Sequence, residues 1–186
     1  VPLETILSER YFEDGGQKES VLKEPSALFT LGQLFFRENR FDEAIENLSL
    51  SIEKGSQEFQ AMAMLGNVFL MKAFGGKEKI SDINLNRDID LKYLAQSVAW
   101  FERAFKIAQE LGFEDDLKTF YANASSAYFL LGKHREAYEE IKKAIGVGLR
   151  EEDLLLHKGK IEVVLGRMDE AKRTYSSLDG YPAKIE

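Results

Sequence analysis

The sequence predicts an all-α protein, a solenoid of antiparallel helix pairs, and three observations carry that expectation. First, one spacing recurs along the 186 residues: a small residue, another position twelve on, a third four further and a fourth three further. Gly32, Ala44, Leu48 and Ser51 form one copy, and Ser125, Ala137, Ile141 and Ala144 another; Gly159, Ala171, Tyr175 and Leu178 follow the latter at an offset of 34 residues. A fixed period of that length is the mark of stacked helical pairs. Second, apolar residues return at helical spacing, and no alternating strand pattern is visible. Third, Pro2, Pro25 and Pro182 all stand outside or at the start of these stretches, as a ring that removes an N–H and clashes with the preceding turn requires.

Residues 1–24 precede the period, with one short helix predicted over Pro2–Phe12 and a break at Asp14-Gly15-Gly16. The repeat region spans 25–180, in copies of about 25–58, 59–117, 118–151 and 152–180, with a tail at 181–186. In the first copy Leu28, Leu31, Leu34 and Phe35 form the stripe of one helix, and Ile45, Leu48 and Ile52 that of the next, which Gly55 closes as a left-handed cap. In the second copy Met62, Leu65 and Phe69 face inward from a helix starting near Glu58. The spacing opened by Gly66 resumes at Ser97, Phe101 and Ala104, 19 residues late, so the turn at 74–90 is an insertion. Asp90 is placed to cap the helix Leu91–Leu111, and Trp100 to pack against the third pair. The third pair begins at Asp115 or Asp116, uses Phe120, Tyr121, Ala124, Ala127, Tyr128 and Leu131 as its inward face, and continues in Glu136–Val147. The fourth comprises Glu152–Leu165 and Met168–Leu178.

The small residues form a packing code. The early Gly or Ser and the Ala twelve later let two helices of a pair cross closely, and the large residue four further is expected to fill the space between pairs. Such a code concerns fold and not chemistry.

A net charge of −7 argues against a nucleic-acid partner. Cysteine is absent, which excludes disulfides and thiolate chemistry and favours a reducing compartment, the cytoplasm. No apolar stretch is long enough to span a bilayer. The inserted loop carries Asp82, Asn84, Asn86, Asp88 and Asp90 in alternation, a weak calcium-loop pattern with Arg87 where such loops need Gly and Tyr93 where they need Glu. His134 takes the turn position of Phe41 and Met168, so a packed ring is expected; His157 has no second His at metal-ligand spacing. The acidic runs Glu114-Asp115-Asp116 and Glu151-Glu152-Asp153 suit helix N-termini. No catalytic set or phosphate loop emerges, and the expectation is a protein that is not an enzyme and needs no cofactor.

Leu31-Gly32 with Phe35, Ala44, Leu48 and Ser51, Tyr121 with Tyr128, Ala137, Ile141 and Ala144, and the gapless turns Phe41–Ala44, His134–Ala137 and Met168–Ala171 resemble the tetratricopeptide repeat over about residues 25–180. The resemblance implies a right-handed superhelix that binds a protein or peptide segment on its concave face. By alignment with the family that face is Phe29, Gln33 and Phe36, then Ala63, Asn67 and Leu70, then Ala122, Ser126 and Phe129, then Leu156, Lys160 and Val163, with Asn123 and His157 beside them. Family members that bind chaperone tails clamp a terminal carboxylate with Lys, Asn and Arg; Phe29 and Gln33 stand at the matching positions here, so an apolar or amphipathic segment is the expected ligand. Ser97 replaces the usual Ala, and Lys158 and Glu162 replace apolar residues, which suggests an exposed array end. The alternative is a structural or self-assembling module, a homo-oligomer or part of a larger protein, with Leu178, Tyr181 and Ile185 at an uncovered end and the groove filled by Leu3, Ile6, Leu7, Tyr11 and Phe12.

Overall fold

The computed structural model describes residues 24–55, 58–75, 89–146 and 152–178. Among them eight α-helices follow one another: α1 Pro25–Arg37, α2 Phe41–Glu53, α3 Glu58–Ala73, α4 Leu91–Leu111, α5 Lys118–Leu130, α6 His134–Gly146, α7 Glu152–Val164 and α8 Met168–Ser176. A short 3₁₀ turn, Glu114–Leu117, leads into α5. The expected N-terminal helix, the tail and the inserted residues 76–88 lie outside the described residues.

The turns show why the sequence breaks where it does. Three of the four pairs are joined by the same backbone device, in which the last residue of the turn donates back across the helix end. Arg40 N–H donates to Phe35 O at 2.9 Å, Lys133 N–H to Tyr128 O at 2.9 Å and Arg167 N–H to Glu162 O at 2.8 Å. The residue before each donor must be left-handed. Gly132 (φ 75°) and Gly166 (φ 74°) supply that conformation freely, and Asn39 (φ 58°) supplies it in the first turn. In the second pair the chain leaves for the insertion and returns at one point. Asp90 N–H donates to Ala73 O at 3.0 Å, closing the neck of the loop, while Phe74 is buried beside it. The Asp90 carboxylate then caps α4, accepting from Lys92 N–H at 2.9 Å and Tyr93 N–H at 3.4 Å.

Helices pack as α1–α2, α3–α4, α5–α6 and α7–α8, and neighbouring pairs meet through α2–α3, α4–α5 and α6–α7. The first helices also meet, α1 with α3 and α3 with α5, which makes the array an α-solenoid with one wall of first helices.

The packing code holds, with one correction. A Cβ on Gly32 would come within 2.5 Å of Leu48, one on Gly66 within 2.7 Å of Phe101, and one on Gly159 within 2.5 Å of Tyr175. The large residue therefore lies directly over the small one inside its own pair, rather than in the space between pairs. Two copies add a hydrogen bond across the crossing. Ser125 Oγ donates to Ala137 O at 2.8 Å, and Ser97 Oγ donates to Gly66 O at 2.7 Å. In one copy the hydroxyl stands at the small position and in the other at the alanine position, and each reaches across the same crossing.

Three further expectations change. Trp100 packs on the cluster of Ala44, Leu48, Ala61 and Leu65, toward the first pair and not only the third. Leu178 is buried. Glu162 is fully buried, so the polar replacements in the fourth copy do not form an exposed end. Its Oε2 accepts from Thr174 Oγ1 at 2.8 Å, and its Oε1 pairs with Lys158 Nζ and lies 3.5 Å from Tyr138 OH. Lys158 Nζ also donates to Thr174 Oγ1 at 2.8 Å, and Tyr138 OH donates to Glu170 Oε2 at 2.8 Å. A satisfied polar network thus fills part of the core between α6, α7 and α8.

Candidate functional site: the wall of first helices

The wall is built from one face of α1, α3, α5 and α7, and burial sorts its expected residues into two groups. Ala63 is fully buried against Phe59, Met62, Ala104 and Ala108, and Leu70 is buried in the central core with Leu94 and Phe101. Both belong to the core and offer no surface to a ligand, because α3 is enclosed by α2, α4 and α5 and has little free face. Phe29, Gln33, Phe36, Asn67, Ala122, Asn123, Ser126, Phe129 and Leu156 are partly buried, and Lys160 and Val163 are exposed.

At the α1 end, Phe29 and Phe36 rest on the cluster of Ala44, Leu48 and Leu65, and the Phe36 ring meets Phe41 at 6.2 Å. In the middle, Asn123 Nδ2 donates to Asn67 Oδ1 at 2.9 Å, bridging α3 and α5. That bond leaves each amide with donor or acceptor capacity still to use. Beyond it Ser126 Oγ donates to Ala122 O at 3.1 Å, a bond within its own helix. At the α7 end, Phe129 is flanked by two imidazoles, His134 at 5.1 Å and His157 at 5.5 Å between ring centres. His134 is the packed ring that its turn position predicts. The same packing accounts for His157, which sequence reasoning placed beside the wall without a role.

Burial is the main cause that depresses the His157 pKa to about 4, with the Lys160 charge adding to it and a hydrogen bond to the Ser125 backbone opposing it. Neutral His157 then keeps a buried Nε2 without a hydrogen-bond partner. Val163 and Val164, 37% and 50% exposed, extend the apolar surface beyond it. The wall therefore has an aromatic end, an uncharged amide centre and an aromatic-aliphatic end, and of its named residues Lys160 alone is charged. Nothing in this arrangement supplies a nucleophile with a base.

Asp90 is the one member of the calcium-loop pattern among the described residues, and its carboxylate is occupied as a helix cap. Among the described residues no group of three or more His, Cys, Asp or Glu is placed to hold a metal. No described helix is long and apolar enough to cross a membrane.

A family model of the tetratricopeptide repeat matches residues 25–53 and 119–147. These are the α1–α2 and α5–α6 pairs, the two copies whose spacing is cleanest. Those two pairs match the tetratricopeptide repeat. No curated protein matches the chain. Among solved structures it is similar to a thermophilic TPR protein of Thermus thermophilus, with a TM-score of 0.55, 18% identity, and coverage of 86% of this chain and 76% of that one. At that identity the likeness concerns the fold, and it agrees with the solenoid described above. Tetratricopeptide repeats are helical interaction modules, so the fold is that of a protein-binding scaffold in general.

Proposed function

We propose that the chain is a non-enzymatic adaptor that binds an apolar or amphipathic segment of a partner protein along the wall of first helices. The observation that carries this reading is the Asn67–Asn123 bridge set between half-buried aromatics at Phe36 and Phe129. Amides with spare hydrogen-bonding capacity can meet a backbone, and the flanking rings can meet apolar side chains on either side. Lys160 adds one positive charge at the α7 end, which suits a segment carrying a carboxylate there. Ala63 and Leu70, being core residues, take no part.

Peptides selected against the wild-type chain from a random-sequence display library test the proposal. The double substitution Phe36→Ala/Phe129→Ala should weaken their binding by about tenfold or more, since aromatic anchors dominate such contacts. Circular dichroism should show the helical content kept. Selected peptides that bind the folded double variant as tightly as wild type would refute wall recognition.

A further inference from the structure

A second apolar surface lies away from the wall, on the edge where α2 and α4 end and α3 and α5 begin. There Leu111 is 58% exposed and Phe113 50% exposed. Both are held in place. Gly112 (φ 75°) ends α4 in the left-handed conformation, and Phe113 N–H donates to Ala108 O at 2.8 Å, which fixes the direction in which the chain leaves the helix. The Phe113 ring stacks on Phe59 at 5.9 Å with 11° between planes, and Leu117 just beyond is fully buried. An aromatic ring held rigid and half in water, beside an exposed leucine, is apolar surface that the described residues leave uncovered.

The charges around it name the occupant. Glu53, Glu110 and Asp116 are all exposed. Asp116 precedes α5, where a negative charge is favourable, but Glu53 and Glu110 lie in the last turns of α2 and α4, where the helix dipole opposes them. Neither last turn carries a base, so helix stability gives no reason for these carboxylates. Lys54 caps α2, and Lys106 comes within 4.0 Å of Glu110, an exposed pair that is worth little. Glu152 and Asp153 open α7 on the same edge of the array, beside the last turn of α6, where Lys143 is paired with Glu140.

We infer that this edge is a docking surface for a cationic amphipathic segment of a partner protein, with apolar side chains over Leu111 and Phe113 and Lys or Arg against Glu53, Glu110 and Asp116. Charge decides against a second copy and against the N-terminal segment as the occupant. A second copy brings a net charge of −7, and residues 1–23 bring five carboxylates against three cations. The inference is independent of the wall, because none of these residues belongs to it.

The test titrates the full chain with a fluorescent helical peptide built from leucine and lysine, and with its leucine–glutamate counterpart, by anisotropy. The leucine–lysine peptide should bind, more weakly as salt rises. Leu111→Ser and the triple variant Glu53→Gln/Glu110→Gln/Asp116→Asn should each weaken it by about tenfold, while Phe36→Ala/Phe129→Ala leaves it unchanged. Both edge changes are at exposed positions, so unaltered thermal midpoints should accompany the loss. The inference is overturned if the leucine–lysine peptide does not bind, if the leucine–glutamate peptide binds equally, if the edge variants bind as wild type, or if only the wall variant loses binding. A dimer in light scattering that Leu111→Ser abolishes would also overturn it, by giving the edge to a second copy.

Discussion

At the scale of single residues, the fold rests on a few positions where one carbon decides the outcome. Gly66 lies under Phe101, which is fully buried, and a Cβ there would stand 2.7 Å from two ring carbons. The ring has no empty space to enter, since Phe105 stacks on it at 5.9 Å and Phe120 meets it at 6.5 Å. Gly66→Ala is therefore expected to lower unfolding stability by about 1–3 kcal/mol, the usual range for overpacking a closed core, as read by urea unfolding. A stability equal to wild type would show that α3 and α4 can separate without cost. The small positions were legible in the sequence because only a close crossing demands them at such regular intervals. The place of the large residue was not, because spacing cannot tell whether a side chain fills its own pair or the gap to the next. The reciprocal hydroxyls at Ser97 and Ser125 were likewise hidden: a serine in place of alanine or glycine looks like a weaker match until its acceptor across the helix is seen.

At the scale of elements, the fourth pair shows how a polar residue at an apolar position can belong to the core. Read along the chain, Lys158 and Glu162 describe an exposed helix. Their partners lie on other helices, Tyr138 on α6 and Thr174 on α8, and no pattern local to α7 reveals them. Glu162 has no exposure at all, and Lys158 keeps 21% of its side chain in solvent. Removing one partner leaves the other buried and uncompensated. Lys158→Met is accordingly expected to cost about 3 kcal/mol, whereas Lys158→Met/Glu162→Leu should recover most of that loss, because apolar replacement of a whole buried pair is often neutral or better. Thermal unfolding of the wild type, single and double variants checks this. A double variant no more stable than the single would show that Thr174 depends on Glu162 for its own satisfaction, since Tyr138 keeps Glu170 as acceptor. The same pair illustrates the limit of boundary reading: α7 and α8 end at Val164 and Ser176, before the expected Leu165 and Leu178, because turn bonds from Gly166 and Arg167 take the last carbonyls of α7 and those from Ser177 and Leu178 the last carbonyls of α8.

At the scale of the whole molecule, the solenoid presents two surfaces of different character, an almost uncharged wall and an acidic edge. The positions along the first helices follow from the family alignment, and the structure puts two of them, Ala63 and Leu70, in the core. The edge was not, because Leu111 and Phe113 read as ordinary helix-end residues until their exposure and the Phe59 stack are known. A linear array also makes stability a matter of neighbouring interfaces, and the last pair described has one such neighbour. His157 lies in that interface, on Phe129 and beneath the Ser125 carbonyl. Unfolded, its ring titrates near 6.5; folded, it is held near 4. Between those values the unfolded chain binds more protons, so stability falls as pH drops through the window and is unaffected by this group above it. The loss is at most about 3 kcal/mol, and less where solvent reaches the ring. Glu140, whose carboxyl burial raises above 4.5, takes up its proton first in the folded state and works in the opposite direction. The lowered carboxyls of Glu43 and Glu170 are common to wild type and a His157 variant and cancel in their comparison. The informative quantity is therefore the difference between wild type and His157→Phe in the change of urea midpoint from about pH 7 to about pH 5. Wild type should lose more, and the aromatic replacement should remove that excess while keeping the contact with Phe129. An identical pH dependence in the two chains would mean that His157 is already protonated in the folded array, with its Nε2 reaching water.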